Sequence, residues 1–210
     1  MHRTPAASLL SMCAVALIAG CGGGDEAPAG TTQGKDAAGK QPAEAGADGL
    51  TGILVDPEGE EVGTVRFSEA DGGTQVSVEV TGLPPGFHGF HVHAIGVCEP
   101  DSASANAPSV TGDFLSAGGH IGVGDSDHGA HPGDLPLLFV TEAGTGSLTA
   151  VTDALPLDDL ADDDGSAAMV HGDPDNYGNI PERYAPGGPD EMTRNTGDAG
   201  GRIACGPVEG

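Results

Sequence analysis

The amino-acid sequence predicts an all-β domain: an eight-stranded antiparallel Greek-key sandwich or flattened barrel with two long functional loops. Two observations carry that reading. From Leu50 onward, short runs of Val, Ile, Leu, Phe and Thr alternate with polar residues between Gly- and Pro-bearing turns, and few stretches suit a long helix. Strands this short and numerous bury their apolar faces by packing sheet on sheet or by curling one sheet on itself.

The first three strands are "LTGILVD", "EVGTVRFSE" and "TQVSVEVTG", parted by the turn segments "PEGE" and "ADGG". "GFHVHAIG" continues the pattern. A loop from Glu99 to about Leu135 follows, rich in Gly, Ser, Asp and His. "LPLLFVTE", "GSLTAVTD", "SAAMVHG" and "GRIACG" complete the set, and a second long loop, from Asp173 to Gly200, precedes the last strand. "LPLDDLADD" has a helical cast but reads as a turn. Loops this long are uncommon in compact domains unless they carry function, so the chemistry is expected there.

Ahead of the domain, His2 and Arg3 lead into the apolar run "AASLLSMCAVALIA", which ends in "IAGC". The run is short for a membrane span, and Ala19 and Gly20 suit cleavage before a lipidated Cys21. Residues 1–20 are therefore read as a signal peptide, with acyl chains on Cys21 anchoring the mature protein to a membrane outside the cytoplasm. Residues 21–49 form the tether: Gly, Ala, Pro and charge, without an aromatic or large aliphatic residue to bury. Residues 50–210 make one domain.

The chain holds 32 acids against seven Lys and Arg, a formal net charge of -25. From Leu50 on there are 27 acids, four arginines (Arg66, Arg183, Arg194 and Arg202) and no lysine. Nucleic acid and anionic membrane surfaces are excluded as partners by that field. With Cys13 lost in the signal and Cys21 lipidated, Cys98 and Cys205 remain, a count that suits one disulfide in an oxidising compartment. Closing so long a loop is worth roughly 4–5 kcal/mol in the chain-entropy account. The alternative, two thiols acting as metal ligands, lacks the usual Cys-x-x-Cys pairing.

Histidine placement is the functional signal. Residues i and i+2 of a strand face one side, so His91 and His93 of "HVH" project together while Val92 points away. On their own, such pairs are more often solvated than ligating. "GGHIGVGDSDHGAHPGD" then brings His120, His128, His131 and Asp134, three imidazoles and a carboxylate, a donor set suited to zinc or copper. His171 ends "AAMVH", with Asp175 four residues on. His88 is assigned a structural hydrogen bond.

Taken together, "GFHVH", "AGGH", "HPGDLP", "VHGDPDNY" and "GGRIACG" resemble the motifs of bacterial exported, lipoprotein-type Cu/Zn superoxide dismutases, and the likeness runs over residues 50–206. The resemblance implies copper bound by His91, His93, His120 and His171, and zinc bound by His120, His128, His131 and Asp134. His120 would bridge the two ions as an imidazolate. Asp175 would link ligands of both sites from behind, since outer carboxylates fix imidazole orientation. Arg202 resembles the anion-guiding arginine, and Cys98 and Cys205 match the family's disulfide. One departure is noted: only Gly129 and Ala130 separate His128 from His131, shorter than the family pattern, which predicts a strained or altered zinc half.

The implied activity is dismutation of superoxide to oxygen and hydrogen peroxide, protecting the cell envelope from extracellular superoxide. Copper would cycle the electron, and His120, freed on the copper side, would offer a proton. Arg202, aided by Arg183 and Arg194 in the covering loop, would supply local positive charge against the acidic whole; pairing of those two with Glu182 and Glu191 is the ordinary alternative. The competing function is a non-catalytic copper/zinc-binding surface lipoprotein, which predicts a missing copper ligand or a missing Arg202. A structural envelope sandwich leaves the histidine pattern unexplained. A homodimer is among the assembly states left open.

Overall fold

A computed structural model describes residues 49–210. The expected signal peptide, the expected lipidation at Cys21 and the expected tether up to residue 48 lie outside the described residues. Eleven strands form: β1 (Leu50–Val55), β2 (Glu61–Ala70), β3 (Gly73–Thr81), β4 (Gly86–His88), β5 (Phe90–His93), β6 (Ser102–Ala103), β7 (Thr111–Gly112), β8 (Leu138–Val140), β9 (Thr145–Thr152), β10 (Ser166–His171) and β11 (Arg202–Val208). No helix among the described residues is long and apolar enough to cross a membrane.

Nine strands make one antiparallel sheet in the order β4-β8-β9-β3-β2-β1-β11-β10-β5. β4 and β5 stand at opposite ends of that order, yet Gly89 alone separates them in the chain. One residue spans at most about 3.5 Å, so the sheet must curl until its two edges meet. This is the flattened barrel expected from the strand pattern, with one strand more: the three-residue β4, too short to register as an alternating run. The remaining pair, β6 and β7, is a small hairpin inside the first long loop.

Alternation decides what fills the barrel. In β3, Thr74, Val76, Val78 and Val80 are buried while Gln75, Ser77 and Glu79 lie toward the solvent side. In β5, Phe90 and Val92 join this interior with Leu54, Phe67, Leu138 and Val170. Full burial of each such side chain stabilises by about 1.5–3 kcal/mol. A second, smaller cluster forms outside the barrel wall: Phe114 and Ala117 of the first loop pack on Ala167, Met169 and Cys205, with Cys98 alongside. It fastens the loop to β10 and β11.

Two short α-helices fall where only loop or turn was expected. Leu157–Leu160 makes a single helical turn (α1) inside "LPLDDLADD", anchored by buried Leu160. Glu191–Thr196 (α2) lies in the second long loop. Asp190 caps it by accepting from Thr193 N at 2.9 Å, and Gly197 closes it with φ 61°, a left-handed value that glycine adopts freely. Both are too short for a helical period to show in sequence.

Candidate metal centre

β5 is an edge strand, and its outer edge is where the first loop is built into the fold. Ile121 N donates to Val92 O at 3.0 Å, Val92 N to Gly133 O at 2.8 Å, and Ala94 N to Gly119 O at 2.9 Å. These bonds place His120 beside His93 and Asp134 beside His91. On the other edge of β5, β10 pairs with Met169 opposite His91 and Ala167 opposite His93. His171 sits just past a register shift after Val170, at the end of β10. Strands thus supply three imidazoles and the loop supplies the others.

The donor atoms of His91, His93, His120 and His171 lie within 4.8 Å of one another, and so do those of His120, His128, His131 and Asp134. His120 belongs to both groups. The hydrogen bonds decide which nitrogen each ring turns inward. His91 donates from Nε2 to Asp175 Oδ2 at 2.8 Å, which leaves Nδ1. Gly118 O, 2.9 Å from His93 Nδ1, and Gly200 O, 3.3 Å from His171 Nδ1, leave the two Nε2 atoms, 3.4 Å apart. On the other side, Asp134 Oδ1 is 2.9 Å from His120 Nδ1, 3.2 Å from His128 Nδ1 and 3.3 Å from His131 Nδ1. Ser126 O, 2.9 Å from His131 Nε2, fixes that ring from behind.

Three buried ring nitrogens have no hydrogen-bond partner: His91 Nδ1, His120 Nε2 and His128 Nδ1. A buried polar atom left unpaired costs about 1–3 kcal/mol, so three in one place mark a site completed by something else. The donor set names the completion. Four imidazole nitrogens suit copper, three imidazoles with a carboxylate suit zinc, and the atoms left free are the ones that converge.

Ionisation follows the same division. Burial lowers His93 and His171 well below the ordinary imidazole range, and repulsion from neighbouring imidazoles adds to it. Burial likewise takes His120 down to about 4, against the pull of Asp134. Burial works against His128 too, but the Asp134 and Asp175 carboxylates beside it outweigh that and raise the ring to about 9. Although burial pushes both carboxylates up, the imidazoles facing them, His120 and His128 at Asp134 and His128 and His91 at Asp175, hold both well below the usual range. Neutral rings around His93 and an anionic Asp134 are the ligating forms, and an anionic Asp175 is the form that accepts from His91 and His128.

Asp175 connects the two groups. Its Oδ2 accepts from His91 and its Oδ1 from His128, each at 2.8 Å, and Tyr177 N donates to Oδ1 at 2.7 Å. Gly197 packs against this junction, and a methyl group there would overlap both Asp175 and His128. The short spacing between His128 and His131 makes a tight turn over Asp134. Asp134 turns its second oxygen, Oδ2, to the backbone N–H groups of Gly129 at 2.7 Å and His131 at 3.1 Å, and the tight turn thereby presents both rings. His128 N also donates to Arg194 O at 2.7 Å, tying the turn to α2.

His88, 2% exposed, has both ring nitrogens engaged, with Pro84 O and His171 O each at 2.8 Å, a structural role next to a site residue. Cys98 and Cys205 are joined as a disulfide across 107 residues, which settles them as structural and not as metal ligands. Arg202 donates from Nη1 to Phe114 O and from Nη2 to Gly118 O at 2.6 Å, and it lines one cleft with His93, His120 and His171. Burial lowers it to about 10, so it stays charged at neutral pH. Arg183 and Arg194 are not in that cleft. Arg183 lies over the Tyr184 ring at 4.6 Å, and Arg194 faces Asp127 at 3.8 Å, not Glu182 or Glu191. Sequence reading missed Met192, Asn195 and Asp198, which line the cleft from α2 and its exit. Nothing in their residue types marks them.

The comparisons agree with this geometry. A family model described as copper/zinc superoxide dismutase (SODC) matches residues 61–208. The chain is 42% identical over 174 residues to a superoxide dismutase (Cu-Zn) of Mycolicibacterium paratuberculosis, covering 79% of this chain and 76% of that protein. It is 43% identical over 171 residues to the protein of the same name from Mycobacterium tuberculosis, covering 78% and 71%. The solved Cu/Zn superoxide dismutase from Brucella abortus superposes with a TM-score of 0.60 at 33% identity, over 77% of this chain and 100% of that one.

Proposed function

The chain belongs to the copper/zinc superoxide dismutase family, and from that premise we propose that it dismutates superoxide with copper held by His91, His93, His120 and His171 and zinc held by His120, His128, His131 and Asp134. The observation that carries the reading is His120, a ring shared by both donor groups with one nitrogen toward each and Nε2 left without a partner. Copper held there would supply a one-electron couple, by which one superoxide could be oxidised and a second reduced.

The chain's own residues do the rest. Arg202 puts a fixed cation in the cleft that reaches three of the copper-side rings, drawing a small anion inward against the acidity of the whole domain. His120 would hold a proton at its unpartnered Nε2 and pass it to the departing peroxide, with solvent supplying the second proton. Asp134, at His120 Nδ1, keeps the ring in place while this happens. Asp175, through His91 and His128, ties the orientation of one half to the other. On the reading of residues 1–20 as a signal and of Cys21 as a lipid anchor, the domain would remove superoxide at the cell envelope on the end of its tether.

Metal analysis of the purified protein paired with a cyanide-sensitive superoxide assay tests the reading. One copper and one zinc per chain with dismutation is expected. One equivalent of copper without dismutation points instead to a non-catalytic metal-binding lipoprotein.

A further inference from the structure

The cleft that reaches His93, His120 and His171 has a volume of about 600 Å³, far larger than a diatomic anion. Apart from the histidines it carries two ionisable side chains, Arg202 and Asp198. Asp198 is exposed, and its position is fixed: Thr193 donates from Oγ1 at 2.8 Å and Asn176 from Nδ2 at 2.6 Å, both to Oδ2. Among the described residues, no Arg or His lies within ion-pair distance of it. The backbone there is left-handed, φ 55°, which Gly or Asn meets as readily as Asp. Conformation and hydrogen bonding thus leave the negative charge unexplained.

We propose that Asp198 is a charge filter that lets singly charged anions reach the metal side of the cleft in preference to doubly charged ones. This rests on the reading of the cleft as the path of superoxide. A lone guanidinium attracts an anion in proportion to that anion's charge, so sulfate or hydrogen phosphate would outcompete superoxide for Arg202. A carboxylate in the same cleft repels in the same proportion. With both present the fields offset, and the divalent anion loses its advantage.

Azide and sulfate measure this directly in the copper-loaded protein at low ionic strength: azide through the visible spectrum of the copper, sulfate as its competitor. D198N keeps the oxygen that Thr193 needs, and D198G keeps the backbone while deleting the side chain. Because the energy is linear in charge, azide should tighten about threefold and sulfate about tenfold in both variants, and both gains should fade as salt is added. Equal shifts for the two anions, no shift, or a shift confined to D198G overturn the filter while leaving the cleft's function standing. If azide leaves the copper spectrum of the unsubstituted protein untouched, the cleft does not lead to the metal and both readings fall.

Discussion

Asp175 holds His91 and His128 at the same time, one carboxylate oxygen 2.8 Å from the Nε2 of each ring. Neither donor group is therefore oriented independently of the other. Asp175→Asn leaves one oxygen to accept and turns the other position into a donor, which cannot pair with an N–H. Zinc affinity should fall about 10- to 100-fold, by competition titration against a chelator. An unchanged zinc Kd would show that Asp134 and the His128 turn orient the zinc side alone.

Arg202→Ala should lower kcat/KM by about tenfold and flatten its dependence on ionic strength, with copper content unchanged. Because the guanidinium also pins Phe114 O and Gly118 O, Arg202→Lys separates the two roles. Lysine keeps the charge and loses the fork, so salt dependence should persist in it while the loop loosens. A rate unaffected by Arg202→Ala removes the residue from the mechanism.

The Cys98–Cys205 disulfide closes 107 residues and lies in the small cluster under the first loop. Replacing both cysteines by serine should cost about 2–5 kcal/mol in urea unfolding of the metal-free protein. A loss of under about 0.5 kcal/mol would mean that Phe114 and Ala117 hold the loop unaided.

Two titrations bracket the stability of the metal-free protein. His120 falls from 6.5 to about 4 on folding, so the unfolded chain takes up its proton first; stability drops as pH goes from 6.5 toward 4. His93 and His171 are lowered as well and act in the same sense. His128 rises from 6.5 to about 9, so its contribution is whole below 6.5 and is lost as pH climbs through 9. Urea unfolding at a series of pH values should show a maximum between these limits. Zinc needs the unprotonated ring, so zinc binding at neutral pH should release about one proton from His128, measurable in buffers of different ionisation enthalpy. Zinc uptake without proton release would mean that His128 is already neutral.

Strands whose side chains alternate were legible in the sequence, and so were the histidines, because residue type and spacing are what a sequence records. The edges of those strands were not. His120 and Asp134 reach His93 and His91 through backbone bonds of Gly119, Ile121 and Gly133, and backbone groups look alike in every residue. The zinc half was legible only in part, for a related reason. The count of residues between His128 and His131 was plain, but not that Asp134 Oδ2 would take up the N–H groups of the short turn. Asp198 and Gly197 owe their positions to α2, which is too short to leave a period.

The backbone bonds that carry the first loop along β5 have a consequence for self-association. An uncovered outer strand is a template on which another chain can add its own. In this fold the segments that present His120 and Asp134 occupy that template, so the protein's ligands and its guard against aggregation are the same stretch of chain. A substitution that broke these backbone bonds would unseat the ligands and bare the strand in one stroke, turning a loss of activity into a risk of sticking to neighbours.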